Sequence, residues 1–324
     1  MHAGGAAPSR RLGVTNLENE KLVRYLVVEE RPGRRFTAAE DTRWGGLITP
    51  DPEEVSPGPG RGARVVLFGS WLFGYVLLRT LELYQDRFPG ALDLVGLVTD
   101  DPLNPDARIF AKKRVWRLVD SPHTVIDETA IISSALGRGV PVYTGEVKVD
   151  SFRRLLGQWR PDVILVCVFG QLIDARIIEV PPLGIYNFHP SDLAGHRGAG
   201  PAPYDDLAQS GAGATVWSVH QVDEGFDTGK VVGQSPPVNV LHEDGTLPGD
   251  PLVVYEKISE ALGPVASLFV GEICRRHRRS ERGAVDRVEL EEPFPGELRA
   301  RLLQPVRKGS PEGTLFVPEP SLLA

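Results

Sequence analysis

"VILVCVFG", Val163 to Gly170, is apolar on both faces of an extended chain and stops at a glycine. A surface strand alternates apolar and polar residues, whereas a continuous apolar run of this length fits a parallel strand covered by helices on both sides. Val163 to Phe169 is the longest apolar run, far too short to span a bilayer. Upstream, "RVVLFGS" (64–70) and "LDLVGLVTD" (92–100) read as further core strands, and "VPVYTG" (140–145) as a shorter one. "WLFGYVLLRTLELYQDRF" (71–88) has helical character. "DETAIISSALGRG" (127–139) reads as a helix ending at glycine, and "VDSFRRLLGQWRPD" (149–162) as a helix with Asp150 or Ser151 as N-cap. Residues 101–120 read as loop. Strand and helix alternating at this spacing imply right-handed βαβ units and a doubly wound, Rossmann-like α/β fold.

Downstream the pattern changes. "GIYNFH" (184–189), "TVWSVH" (215–220) and "KVVGQSPPV" (230–238) read as closely spaced strands, some of them antiparallel additions to the sheet. A long amphipathic helix follows from Pro251, with Asp250 as N-cap. The expected organisation is an N-terminal extension with a Pro/Gly-rich linker over 1–62, a catalytic domain over 63–272, and a short C-terminal appendage over 273–324. "LENEKLVRYLVVEE" (17–30) could form a helix or a pair of strands.

The composition narrows the function. The 324 residues are 41% hydrophobic and 24% charged with net charge −7, which disfavours general nucleic-acid binding. The basic run Arg275 to Arg279 reads as a solvated helix end. Two cysteines, Cys167 and Cys274, cannot build a four-thiolate zinc site or a disulfide framework. With no secretory signal in view, a cytoplasmic location without membrane attachment is expected. Gly69 and Gly74 supply neither the G-x-G-x-x-G of a dinucleotide site nor a phosphate loop, so Gly69 reads as a tight strand-to-helix turn.

The chemistry concentrates in "NFHPSDLAGHRG" (187–198) and "HQVDEGFDTG" (220–229). Asn187 and His189 are two apart on a strand, so their side chains share a face. His189, His196 and His220 lack the H-x-x-x-H or H-E-x-x-H spacing of a metal site, and none is expected. Ser191 and Ser70 lack the G-x-S-x-G elbow of a serine nucleophile. What remains is an asparagine, a histidine and a carboxylate without a covalent nucleophile. An imidazole can exchange a proton near neutral pH, a carboxylate can orient it, and an amide can donate to a developing oxyanion. That set suits acyl transfer to an amine that is itself the nucleophile.

These stretches resemble the folate-dependent formyltransferases, whose signature is Asn-x-His, then Pro-Ser-Leu-Leu-Pro-x-x-Arg-Gly, then His-x-Val-Asp-Glu-Gly-x-Asp-Thr-Gly. The second motif is nearly complete here. The first keeps Asn187, His189, Pro190, Ser191, Leu193, Arg197 and Gly198, while Asp192 and Ala194 stand where the family has Leu and Pro. The resemblance, which also takes in "RVVLFGS" and "RPDVILVCVFGQLI", spans roughly 64–270. It implies Asn187, His189 and Asp227 as the catalytic set. It implies folate contacts from three segments. The first is Phe169, Gly170, Gln171, Leu172 and Ile173. The second is Ser191, Asp192, Leu193 and Ala194, and the third is Val222, Asp223, Glu224 and Gly225. It implies N10-formyltetrahydrofolate as donor, tetrahydrofolate as product and a primary amine as acceptor. A tail too short for the barrel domain of methionyl-tRNA formyltransferases, together with the net charge, favours a small acceptor such as a nucleotide-linked amino sugar or an amino-acid-type amine, in specialised metabolism. Formyltetrahydrofolate hydrolysis and methionyl-tRNA formylation are the alternatives, and a homodimer is left open.

Overall fold

The structure, a computed structural model, describes residues 23–25, 36–42, 45–50, 60, 62–100, 131–132, 134–194 and 203–307. Its centre is four parallel neighbours: β4 (Ala63–Gly69), β5 (Leu92–Thr99), β7 (Val163–Cys167) and β8 (Ile185–His189). β4 pairs with β5 on one side and β7 on the other, so the strand order reverses between β4 and β7. Crevices beyond the carboxyl ends of strands at such a reversal are where open α/β sheets bind ligands.

Among the described residues the sheet has ten strands, in the order β1-β2-β3-β6-β5-β4-β7-β8-β10-β11. At one end, β6 (Val142–Gly145) runs parallel to β5. There the N-terminal extension adds β1 (Val23–Tyr25), β2 (Phe36–Thr42) and β3 (Gly45–Pro50), with β3 antiparallel to β6. At the other end, β10 (Ser218–Gln221) and β11 (Val231–Gln234) are antiparallel additions, as the close spacing of the later strands led one to expect. A separate small pair joins β9 (Ala214–Thr215) to β12 (Val238–Asn239).

Helices cover both faces. Helix α1 (Trp71–Arg87) and helix α5 (Pro251–Arg278) pack together over one face, in a cluster that includes Phe73, Leu77, Trp217, Tyr255 and Phe269. Helix α2 (Asp150–Trp159) and the short α3 (Ala175–Ile178) border the opposite cluster, with Phe68, Phe152, Ile173, Ile177 and Ile185. α4 (Pro203–Ser210) and α6 (Gly296–Leu303) are further helices, and residues 131–132 and 134–137 are helical too. No helix among the described residues is long and apolar enough to cross a membrane.

Several local expectations need correction. "TVWSVH" is not one strand: the ladder breaks at Val216 and Trp217. The backbone N–H of Trp217 donates to Ser235 Oγ at 2.9 Å, and its indole N–H donates to the Ile258 carbonyl at 2.8 Å. Sending this large ring into the core beneath α5 takes its residue out of the sheet. Neither Asp150 nor Ser151 caps α2. Asp150 is its first residue, after Val149, and its carboxylate pairs with Arg153 at 2.9 Å instead. Asp250 does cap α5, accepting from Leu252 N at 2.9 Å. Residues 101–120 lie outside the described residues, as does most of 17–30.

The boundary drawn at 272 falls inside α5. Beyond that helix the chain crosses back over the body. Gly283 N donates to Pro182 O and Val288 N to Val232 O, the latter at 2.7 Å alongside β11. Val285, Leu290, Phe294, Leu298 and Leu302 are buried in the α1/α5 cluster. The basic run is partnered as well as solvated. Arg275 bonds Glu272, Arg276 bonds Glu281 at 2.9 Å, and His277 lies 3.3 Å from Asp162.

Candidate active site

β8 positions the first two groups. Its burial alternates so that Tyr186 and Phe188 enter the α1/α5 cluster, while Ile185 faces the other. By period two, Asn187 and His189 share the face of Ile185 and are left half-buried at the strand's carboxyl end. The third group arrives from the β10–β11 connection. Asp227 sits at φ 52°, a left-handed conformation that Asp tolerates better than most residues, and this turns its carboxylate inward. The loop is held by its own residues: Asp223 Oδ1 accepts from Gly225 N at 3.0 Å and from Thr228 Oγ1 at 2.6 Å. Gly229 is required by close approach, because a Cβ there would lie 1.7 Å from the Gln221 carbonyl oxygen.

The three groups converge. Asn187 Nδ2 donates to Asp227 Oδ1 at 3.1 Å, and His189 Nε2 lies 3.4 Å from Asp227 Oδ2. A carboxylate only accepts, so it is the amide nitrogen of Asn187 that faces it. The other ring nitrogen of His189, Nδ1, is 2.8 Å from Ser191 Oγ. A hydroxyl can donate to a neutral ring or accept from a protonated one, so Ser191 holds the imidazole in either state.

His220 belongs to the same cluster, although in the sequence it stands only as a metal-ligand candidate that its spacing disfavours. It pairs with Asn187 across β10 and β8 and is buried. Its Nε2 lies 3.0 Å from Asn187 Nδ2 and 3.3 Å from Asp227 Oδ1. Its Nδ1 lies 3.0 Å from the Gln221 carbonyl, an acceptor, which places a proton on Nδ1. With the His220 ring neutral, both hydrogens of the Asn187 amide are engaged, one by Asp227 and one by His220; with the ring protonated, Nε2 donates to Asp227 Oδ1 instead. The signal that could have found His220 is its place at the head of the second motif.

The electrostatics are those of a buried anion between two imidazoles. Burial alone would raise the Asp227 pKa, but hydrogen bonds and charge from His189 and His220 outweigh it and hold the carboxyl far below the usual carboxylate range. Its contribution to stability is thus present above the ordinary value of 3.8 and lost as the pH falls through the lower folded value. Burial also pushes the Cys167 thiol well up and the Cys274 thiol to about 11, so neither is a thiolate nucleophile.

The other expected segments surround this cluster. Phe169 to Ile173 leaves the end of β7, and Phe169 and Val222 both pack, half-buried, on the cluster that contains Ile173 and Ile185. This makes an apolar wall on the face that carries Asn187 and His189. Gln171 is different: its side chain is consumed by protein partners. Ser191 turns its hydroxyl to His189. Ser218 Oγ donates to Ser191 O at 2.7 Å and accepts from Leu193 N at 3.1 Å, fixing the loop to β10. Asp192, the departure from the family's Leu, accepts from Gln234 Nε2 at 2.8 Å and from Ala194 N at 3.1 Å. Asp223, Glu224 and Phe226 are exposed on the loop that carries Asp227. His196, Arg197 and Gly198 lie outside the described residues.

Residues 126–247 match the family model described as "Formyl transferase". Among similar proteins, the methionyl-tRNA formyltransferase of a Synechococcus species is 34% identical over 157 residues, 48% of this chain and 41% of that one. That of Kosmotoga olearia is 35% identical over 143 residues, 39% of this chain and 45% of that one. The chain thus spans less than half the length of these two relatives. Among solved structures, a glycinamide ribonucleotide transformylase from Symbiobacterium toebii superposes with a TM-score of 0.49 at 16% identity, covering 75% of this chain and 100% of that one. The matched residues 126–247 include the Asn-x-His and Asp-Glu-Gly-x-Asp-Thr-Gly motifs on which the chain resembles the formyl transferases.

Proposed function

We propose that this chain transfers a formyl group from N10-formyltetrahydrofolate to the primary amine of a small-molecule acceptor, a nucleotide-linked amino sugar or an amino-acid-type amine. The observation that carries the reading is the convergence of Asn187, His189 and Asp227 at the end of β8, where Asn187 and His189 both meet the Asp227 carboxylate. The residues present suit a folate. Half-buried Phe169, Leu172 and Val222 offer apolar surface to a flat ring. When bound, the donor supplies an electrophilic one-carbon group.

The protein's own groups then divide the work. Asn187 presents an amide N–H that can turn from His220 toward a developing oxyanion. His189, in its protonated form, adds a second donor from Nε2, whose contact with Asp227 is the looser of its two. Asp227 orients both groups and holds the charge on His189. As the new amide bond forms and the folate nitrogen–formyl bond breaks, the proton that the attacking amine sheds passes through this cluster to the departing nitrogen. Ser191 fixes the ring from the far side. Replacing Ser191 by Ala should therefore lower kcat by ~10–100-fold, the equivalent of one hydrogen bond to a charged group. Ser191→Thr, which keeps the hydroxyl, should restore most of it. Steady-state kinetics of the two variants check this, and equal losses in both would contradict it.

A second reading takes methionyl-tRNA as the acceptor, as in the names of the similar proteins. The net charge of −7 favours the small amine, because tRNA binding gains from phosphate neutralisation. The test is a panel of nucleotide amino sugars, diamino acids and methionyl-tRNA, each incubated with N10-formyltetrahydrofolate and read by mass. One added formyl group on a small amine is expected. Formylation of methionyl-tRNA alone would overturn the small-acceptor reading.

A further inference from the structure

We propose that Asp100 and Gln171 form a positioning clamp that holds the backbone of Phe169 to Ile173 in shape for the formyl donor and thereby sets donor affinity; this rests on the function proposed above. Asp100 follows the end of β5, seventy residues before Gly170 in the chain. Its Oδ2 accepts from Gly170 N at 2.5 Å and its Oδ1 from Gln171 Nε2 at 2.7 Å. The second hydrogen of Gln171 Nε2 goes to the Gly145 carbonyl at 2.7 Å, and Oε1 accepts from Val147 N at 3.1 Å. Asp100 is itself anchored, its N–H donating to Ser70 Oγ at 2.9 Å, and Ser70 N donates to Cys167 O at 3.3 Å. One network therefore ties together the carboxyl ends of β4, β5, β6 and β7.

The chemistry is specific to these two side chains. Gln171 must give two hydrogens on one side and accept one on the other, which a carboxamide does and a carboxylate does not. Asp100 must accept twice, and its charge strengthens both bonds. The clamp also meets a local need. Val168, just before the segment, has φ 51°, a conformation rare for a β-branched residue that persists only where its surroundings enforce it. Gln171 thus spends its side chain on the scaffold and leaves the backbone it carries to meet the ligand.

The test is a double-variant cycle in the full chain. Gln171→Glu sets two carboxylates face to face and should raise KM for N10-formyltetrahydrofolate by ~10–100-fold while kcat stays within about threefold. The paired variant Asp100→Asn with Gln171→Glu should recover part of that loss, because the amide introduced by Asp100→Asn donates to the new carboxylate and still accepts from Gly170 N, while the Gly145 carbonyl stays without its donor. A fall in kcat at unchanged KM, or additive losses in the pair, would overturn the clamp. If the wild-type chain turns over no N10-formyltetrahydrofolate, the proposed function has failed. The clamp is then read from amide hydrogen exchange at 168–173 in the ligand-free protein. Exchange ~10–100-fold faster in Gln171→Glu supports it, and unchanged exchange refutes it.

Discussion

Asp227→Asn should lower the proposed formyl transfer by about 10²–10⁴-fold while the protein remains folded. The magnitude is that of removing a general acid–base group. An amide at this position has nearly the same shape as the carboxylate, but it loses the charge that faces His189 and His220. It also presents a donor or a weakened acceptor to Asn187, whose amide now donates at 3.1 Å. The loss should fall on kcat more than on the donor KM, because Asp227 acts on the orienting and proton-moving groups. The variant should also lose an acid dependence. In the wild type, the stabilisation from ionised Asp227 is present above its ordinary value of 3.8 and decays below it as the depressed folded pKa is approached. Melting temperatures of the two proteins should therefore differ most near neutral pH and draw together in acid. A variant that keeps wild-type kcat would remove Asp227 from the mechanism.

A chain ending at residue 280 does not fold cooperatively. The segment that would be lost reads in sequence as a charged, Pro/Gly-rich tail. Yet it buries Val285, Leu290, Phe294, Leu298 and Leu302 against α1 and α5. Each such side chain contributes ~1.5–3 kcal/mol when fully buried. Five of them together are comparable with the ~5–15 kcal/mol net stability of an ordinary domain. The truncation also uncovers β11, whose Val232 carbonyl accepts from Val288 N, and an open strand edge invites aggregation. Because a complete loss of folding is a blunt result, Leu302→Ala offers the graded test. It should cost ~2–5 kcal/mol and lower the melting temperature without changing the donor KM. A truncated chain that melts cooperatively within a few degrees of the full one would contradict this account of the segment.

What the sequence made legible follows the range of the interactions. The apolar run from Val163 to Cys167 fitted a strand buried on both faces, and the period of two placed Asn187 and His189 on one face of β8. The density of polar residues between 187 and 198 and between 220 and 229 marked the site. Partnerships fixed by register or by distant packing stayed hidden. His220 meets Asn187 only because β10 runs antiparallel to β8 in that register. Asp100 meets Gly170 because β4 lies between their two strands. The three N-terminal strands find β6 across about a hundred residues, and nothing in "GGLITP" names that partner. The break in "TVWSVH" was equally silent, because the attraction pulling Trp217 from the ladder is a carbonyl on α5.

The proposed work of Asn187, His189 and Asp227, moving a formyl group from a folate to an amine, can be followed with N10-formyltetrahydrofolate carrying ¹³C in the formyl carbon, by tracing the label with and without the amine identified by the acceptor panel. An N-formyl product should form in step with tetrahydrofolate, both dependent on the amine and both nearly abolished in His189→Ala. Labelled formate released at the same rate without any amine, or full transfer by His189→Ala, would contradict it.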